Sequence, residues 1–293
     1  MLDRYIDRNS KEIFEVKENK FNKFLYDTTF GRYLLKIIIN PKVSKFIGKY
    51  FDSKVSVFRV PKFIKKNNID MNDYILEDFQ SFNEFFIRKI NPKKRCIIKL
   101  PNVFISPCDG KLSVFKVNPD LVIKIKNSKY KLSDLVDENV CQKYKYGYVL
   151  VFRLCVDDYH RYIYVDDGTA EKTRVIPGVL HTVRPIAQHN YPVFALNHRE
   201  CTLLHTKHFN DIYQIEVGAL CVGKIVNHNI TEFKKGDEKG YFKFGGSTIV
   251  LITNSVTIDR DIVLNSKKGL ETTVKMGDKI GRKKSVVIRR VYK

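Results

Sequence analysis

The chain of 293 residues carries 53 Lys and Arg against 32 Asp and Glu, a formal charge of +21. With 43% hydrophobic and 12% aromatic residues it can bury a large core, which argues against a disordered chain. The basic excess points to nucleic acid, to an anionic membrane or to a compositional bias toward Lys, Ile and Asn, and no RNA motif or zinc finger accompanies it.

The first twenty residues are charged throughout, and nowhere does an apolar run approach the roughly 18 residues of a bilayer-spanning helix. Neither a signal peptide nor a membrane span is expected. From Phe21 to about Lys66, apolar residues such as Phe24, Leu25, Leu34, Leu35 and Ile38 recur at helical spacing, and Asn40-Pro41 should stop a helix. Between Arg32 and Lys66 ten basic residues face one acidic residue, Asp52. Such a stretch fits an amphipathic helix lying in a membrane interface, or equally a packed helix with a solvated lysine face. Ser81, with Glu84 three residues on, reads as the capping box of a short helix.

After Pro92 the texture changes to short apolar or alternating runs bounded by turns: VFISP, KLSVFKV, LVIKIK, YGYVLVFRLCV, Tyr162 to Val165, DIYQIEVGALCVGKIV, GYFKFGG and STIVLIT. These predict strands. The expected fold is α+β, with N-terminal helices packed on a largely antiparallel β-rich core, divided into a helical region (1–90) and a β-rich body (91–293). The six cysteines form no CxxC pair and no Cys/His cluster at metal-ligand spacing, so no metal is expected and a reduced, cytosolic setting is the plain reading.

Three stretches combine turns with reactive side chains. In SPCDGK, Asp109-Gly110 reads first as a tight turn between strands. In DDYHRY, His160 falls at a strand end, where a structural role is the commoner one. In KGYFKFGGSTIVL, Gly245 and Gly246 interrupt a strand before Ser247, which marks a bend, a bulge or close approach to the backbone. Asp109, His160 and Ser247 follow one of the serine-hydrolase chain orders, but the G-x-S-x-G elbow is absent.

Together these stretches resemble the phosphatidylserine decarboxylases of the short clostridial type. The resemblance is carried by SFNEFFIRKINP (81–92), SPCDGKL (106–112), RLCVDDYHRY (153–162), Asn197 with Arg199-Glu200, EVGALCVG (216–223) and KGYFKFGGSTIVL (239–251). It implies a proenzyme that cuts itself between Gly246 and Ser247 into residues 1–246 and 247–293, which remain together as a heterodimer. Ser247 would become a pyruvoyl group, the electron sink for decarboxylation of phosphatidylserine to phosphatidylethanolamine. The resemblance assigns His160 to the decarboxylation step and Asp109 to self-cleavage. It also implies a peripheral enzyme on the cytoplasmic side of the cell membrane, with an anionic bilayer and no nucleic acid as partner.

Two positions depart from the family pattern. Ile163 stands where a second histidine, the base for serine attack, usually follows the Tyr-His-Arg stretch, so a non-cleaving, catalytically impaired lipid-binding homologue is the alternative, with His181 one possible substitute base. Lys224 stands where a small polar residue is more usual after Val-Gly.

Overall fold

The computed structural model describes residues 3–125, 128–136, 138–220, 224–228 and 230–284. Two short strands, β1 (Arg4–Ile6) and β2 (Ile13–Glu15), precede four helices: α1 (Lys20–Asp27), α2 (Thr29–Ile38), α3 (Pro41–Phe51) and α4 (Arg59–Asn67). The helical pattern is thus broken by caps. The side chains of Asn19, Thr28 and Asn40 each accept a hydrogen bond from a first-turn N–H, and Pro41, which needs no such partner, begins α3. Ser81 caps α5 (Phe82–Phe86) through the N–H of Glu84 at 3.1 Å. The return arm of the box goes one residue further back, from the Gln80 N–H to the Glu84 carboxylate at 2.6 Å.

The β-rich body follows. Its first part holds β3 (Val103–Ile105), β4 (Gly110–Lys116), β5 (Val122–Ile125), β6 (Ser128–Lys131), α6 (Glu138–Cys141), β7 (Tyr148–Leu154), β8 (Arg161–Ile163), β9 (Gly168–Ala170) and β10 (Arg174–Ile176). Next come α7 (Pro185–Asn190), α8 (Val193–Leu196), β11 (Arg199–Thr206), β12 (Asn210–Val217), β13 (Ile225–Asn227), β14 (Glu232–Phe233) and β15 (Glu238–Phe242). The described chain ends with β16 (Ser247–Thr253), β17 (Val256–Ile258), α9 (Arg260–Lys267), β18 (Leu270–Val274) and β19 (Lys279–Lys283).

One large sheet dominates, in the order β14-β9-β11-β12-β16-β7-β4-β18-β1-β2, with β10 also paired to β11. Its pairs are antiparallel except β1 with β18. The α+β expectation is borne out. A smaller sheet, β13-β15-β8, covers one face, and there Leu112, Phe152, Leu154, Ile249 and Leu251 pack with Tyr162, Ile163 and Phe242. On the other face Val149, Val151, Ile215, Val250 and Ile252 pack with Leu25 and Leu35 of the helices. Covered on both faces, β16 can be apolar at consecutive positions, and its whole length is buried.

A third cluster, around Phe82, Phe85 and Phe86 with Phe51, Phe63 and Phe244, joins the helical region to the turn that precedes β16. Cys96, Cys108, Cys141, Cys155 and Cys201 are free thiols, and Cys221 lies outside the described residues. No helix among the described residues is long and apolar enough to cross a membrane.

Candidate active site

The Gly246–Ser247 bond lies where the small sheet hands the chain to the large one. After β15, residues 243–246 turn, and Ser247 enters β16 opposite Leu154 of β7. On the other flank the pairing with β12 ends at Val217 opposite Thr248, one residue short of Ser247. Gly245 has φ +137°, a conformation that favours glycine. At Gly246 a Cβ would meet only ordinary contacts, 3.7 Å from the Leu154 carbonyl and from Val183, so packing alone does not demand glycine there.

The Ser247 hydroxyl is wholly buried and has no hydrogen-bond partner among the described residues, His160 included. Leaving such a group unsatisfied costs about 1–3 kcal/mol, and the arrangement therefore needs a reason beyond folding.

The turn is clamped from outside the sheet. The Phe244 N–H donates to Asn83 Oδ1 at 2.9 Å, and the Phe244 ring packs against Phe51, Phe82 and Phe86. Asp52 Oδ1, at the end of α3, accepts from Lys243 Nζ at 2.9 Å and from Asn83 Nδ2 at 3.0 Å. Sequence reasoning missed this clamp, although Asn83 and Phe244 both sit within quoted motifs.

His160 lies beside the same turn. The Phe242 N–H donates to the His160 carbonyl at 3.0 Å, and Phe86 faces the imidazole at 4.2 Å between centroids. His160 Nδ1 is 2.8 Å from the Asp158 carbonyl oxygen. A carbonyl only accepts, so this contact assigns the proton to Nδ1 and leaves Nε2 with a bare lone pair. Nε2 is buried and makes no hydrogen bond of normal geometry among the described residues, with the Gly245 carbonyl the nearby group that favours a proton on the ring. Burial pushes the His160 pKa down to about 4, against the opposing pull of the Asp158 charge and the carbonyls of Asp158 and Gly245. The ring is thus a neutral base at ordinary pH. Asp158 is itself fixed, both carboxylate oxygens lying 2.9 Å from buried Lys111 Nζ.

Asp109 is placed differently. Its buried carboxylate pairs with Arg95, accepts the Met276 N–H at 2.7 Å and has Lys275 Nζ at 3.6 Å. It hydrogen-bonds neither Ser247 nor His160. Gly110, with φ +153°, tucks under β7, where a Cβ would come within 2.9 Å of the Arg153 carbonyl. The Asp109-Gly110 turn and Ser247 therefore flank β7 from opposite sides, two strand spacings or roughly 10 Å apart.

Ile163 is buried in the apolar cluster, its N–H donating to Pro107 at 2.9 Å. His181 packs on Tyr191 with Nδ1 3.1 Å from the Tyr26 hydroxyl, and burial lowers its pKa to about 4. Asn197 ties this segment to the site, its Nδ2 donating to the carbonyls of His181 and Gly218, each at 2.8 Å.

A cavity of about 500 Å³ opens next to Gly218, between α3 and the cleavage turn. Lys45, Lys49, Glu200, Lys224 and Lys243 are among its lining residues. Behind Glu200 stands a buried network: Lys239 Nζ reaches Glu216 at 2.9 Å and Asn227 Oδ1 at 2.6 Å, and Asn227 Nδ2 donates to Glu200 at 2.8 Å.

Residues 82–282 match the family model described as phosphatidylserine decarboxylase. The chain belongs to the phosphatidylserine decarboxylase family. It is 48% identical to phosphatidylserine decarboxylase proenzyme 2 of Clostridium acetobutylicum over 281 residues, covering 94% of this chain and 97% of that one. Against the phosphatidylserine decarboxylase proenzymes of Clostridium tetani and Clostridium novyi it is 40% and 42% identical, covering 96% and 93% of this chain and 98% and 96% of theirs. The resemblance read from the motifs is borne out. Membership makes the chain a member of an enzyme family whose relatives carry proenzyme names, and it favours the decarboxylase reading over the non-cleaving alternative.

Proposed function

We propose that the chain cuts itself between Gly246 and Ser247 and then decarboxylates phosphatidylserine to phosphatidylethanolamine and CO2 on the cytoplasmic face of a membrane. The observation that carries this reading is the pair of buried atoms at one turn, Ser247 Oγ and His160 Nε2, neither making a hydrogen bond of normal geometry among the described residues.

In the cut, His160 Nε2 takes the hydroxyl proton as Oγ attacks the Gly246 carbonyl carbon. The Gly246–Ser247 amide becomes an ester as its nitrogen gains a proton. Loss of the Ser247 α-proton then breaks the Cβ–O bond and frees the Gly246 carboxylate. The remaining dehydroalanine takes up one water and loses ammonia, leaving a pyruvoyl group at residue 247. Asp109 acts here as a positioning residue, locking the turn that holds β7 against Ser247.

The site fits a small uncharged acyl group, because residue 247 is fully enclosed among apolar strands. There the pyruvoyl group supplies an electron sink for the electrons of the departing carboxylate. The protein excludes water from this point, and His160 Nε2 takes up the proton shed by the substrate's ammonium and returns it to the carbon that loses CO2. The products 1–246 and 247–293 stay together as a heterodimer, because β16 is hydrogen-bonded between β12 and β7.

The helical region 1–90 is the membrane-facing part, and 91–293 the catalytic body. Phe30, Tyr33, Ile37, Phe46, Val55 and Phe58 are exposed large apolar residues there, among the basic residues of 32–66. Each lysine near an anionic surface contributes about 1 kcal/mol. Replacing Lys36, Lys42, Lys54, Lys62 and Lys65 by Ala is expected to weaken sedimentation with phosphatidylserine vesicles by a factor on the order of 10² or more, with self-cleavage unchanged.

Intact mass of the purified protein tests the main reading: two fragments, the smaller blocked at its N-terminus, support it, and a single full-length species overturns it. With His160 serving as base, Ile163→His is expected to leave the cleavage rate within about threefold and to destabilise the fold by about 1–3 kcal/mol in denaturant titration, since an imidazole in that apolar site lacks a partner. Cleavage that appears only in Ile163→His would restore the non-cleaving alternative for the natural chain.

A further inference from the structure

Lys224 is exposed and forms no ion pair among the described residues, whereas Lys243 shares the cavity wall with Asp52. The two lysines are locked side by side, the Lys243 N–H donating to the Lys224 carbonyl at 2.9 Å. From the other wall α3 presents Pro41, Lys45, Gly48, Lys49 and Asp52, a stripe at helical spacing along one face. Four lysines therefore face Asp52 and Glu200, with His198 also lining the space. One oxygen of Glu200 is already occupied by Asn227. The excess is cationic, in a cavity of head-group size whose wall includes Lys243 of the turn that precedes Ser247.

We propose that Lys224 is a specificity residue which, with Lys243, Lys45 and Lys49, holds the phosphodiester of an aminophospholipid head group in this cavity. The proposal rests on the decarboxylase reading for the identity of the lipid. An ammonium on a flexible stem recognises phosphate as a point charge, and the wall beneath Lys224 carries its own backbone ties, so side-chain replacement leaves the turn intact.

The test uses soluble dihexanoyl-phosphatidylserine. Lys224→Ala is expected to be cut like the parent and to sediment equally with vesicles, while its KM rises about tenfold with kcat held; Lys224→Glu should raise KM further. A KM within twofold of the parent in both variants overturns the proposal. Should the parent fail to decarboxylate at all, the function above falls, yet calorimetric binding of dihexanoyl-phosphatidylserine to the uncut Ser247→Ala chain still decides this point. Binding there that weakens about tenfold on adding Lys224→Glu supports the site, and unchanged binding overturns it. Inorganic phosphate that binds the same protein as tightly as the lipid would assign the cavity to free phosphate and overturn the lipid assignment.

Discussion

Replacing Ser247 by Ala is expected to leave one species at 34.3 kDa on intact-mass analysis and no measurable decarboxylation. The effect is all or none because Oγ is the only atom of residue 247 able to attack the Gly246 carbonyl, and no later step can start without that attack. Folding should be spared, since Oγ makes no hydrogen bond among the described residues and its removal relieves a buried, unsatisfied polar group. A Tm equal to or above the parent's is the accompanying expectation. Cutting of the Ser247→Ala chain at this bond would sink the self-cleavage mechanism.

His160→Ala is expected to slow cutting by roughly 10³-fold, within the 10²–10⁴ range of a positioned general base. Charge repulsion or a lost contact would not produce the accompanying pH signature. The folded-state pKa of about 4 lies below the ordinary value of 6.5, so Nε2 stays unprotonated as pH falls through 6.5. The cleavage rate of the parent should accordingly be level from pH 8 to about 5 and decline below it, as the base is lost to protonation. The same displacement acts on stability. It stabilises the fold fully above pH 6.5, where neither folded nor unfolded imidazole is charged, and this contribution is withdrawn as pH drops from 6.5 toward 4, by on the order of 3 kcal/mol. Rates measured on unfolded-corrected protein separate the two effects. Free imidazole, entering the space left beside Phe86, should restore part of the rate of His160→Ala; a variant that cuts at the parent's rate unaided would remove His160 from the mechanism.

Local signals in the sequence survive because local physics decides them. Asn40-Pro41 ends one helix and caps the next, Ser81 and Glu84 begin α5, and the run STIVLIT becomes a strand buried on both faces. The strand Arg199–Thr206 was not legible, because RECTLLHT mixes charged and polar residues whose strand character comes from pairing with β12, β9 and β10. Strands β1 and β2 are similar, three residues each, fixed by the distant β18. At the proposed site, His160 and Ser247 stand in motifs readable from the sequence, yet the partners of Asp109 do not: Arg95 lies fourteen residues upstream and Met276 just beyond β18. No periodicity encodes such meetings. The apolar surroundings of Ile163 give the reason an isoleucine is stable there.

The central position of β16 has a bearing on what the cut proposed at Gly246–Ser247 would do to the protein's life history. Before the cut, the strand reaches its slot on a tether of four residues from β15, so that closing the sheet is a unimolecular event. Once severed, the same slot can be refilled only by an encounter between two separate chains, with a yield that depends on their concentration. The proposed cut would thus remove the route by which the sheet was assembled while leaving the sheet itself in place, and the cut protein would persist by slow escape from a well it could no longer easily re-enter.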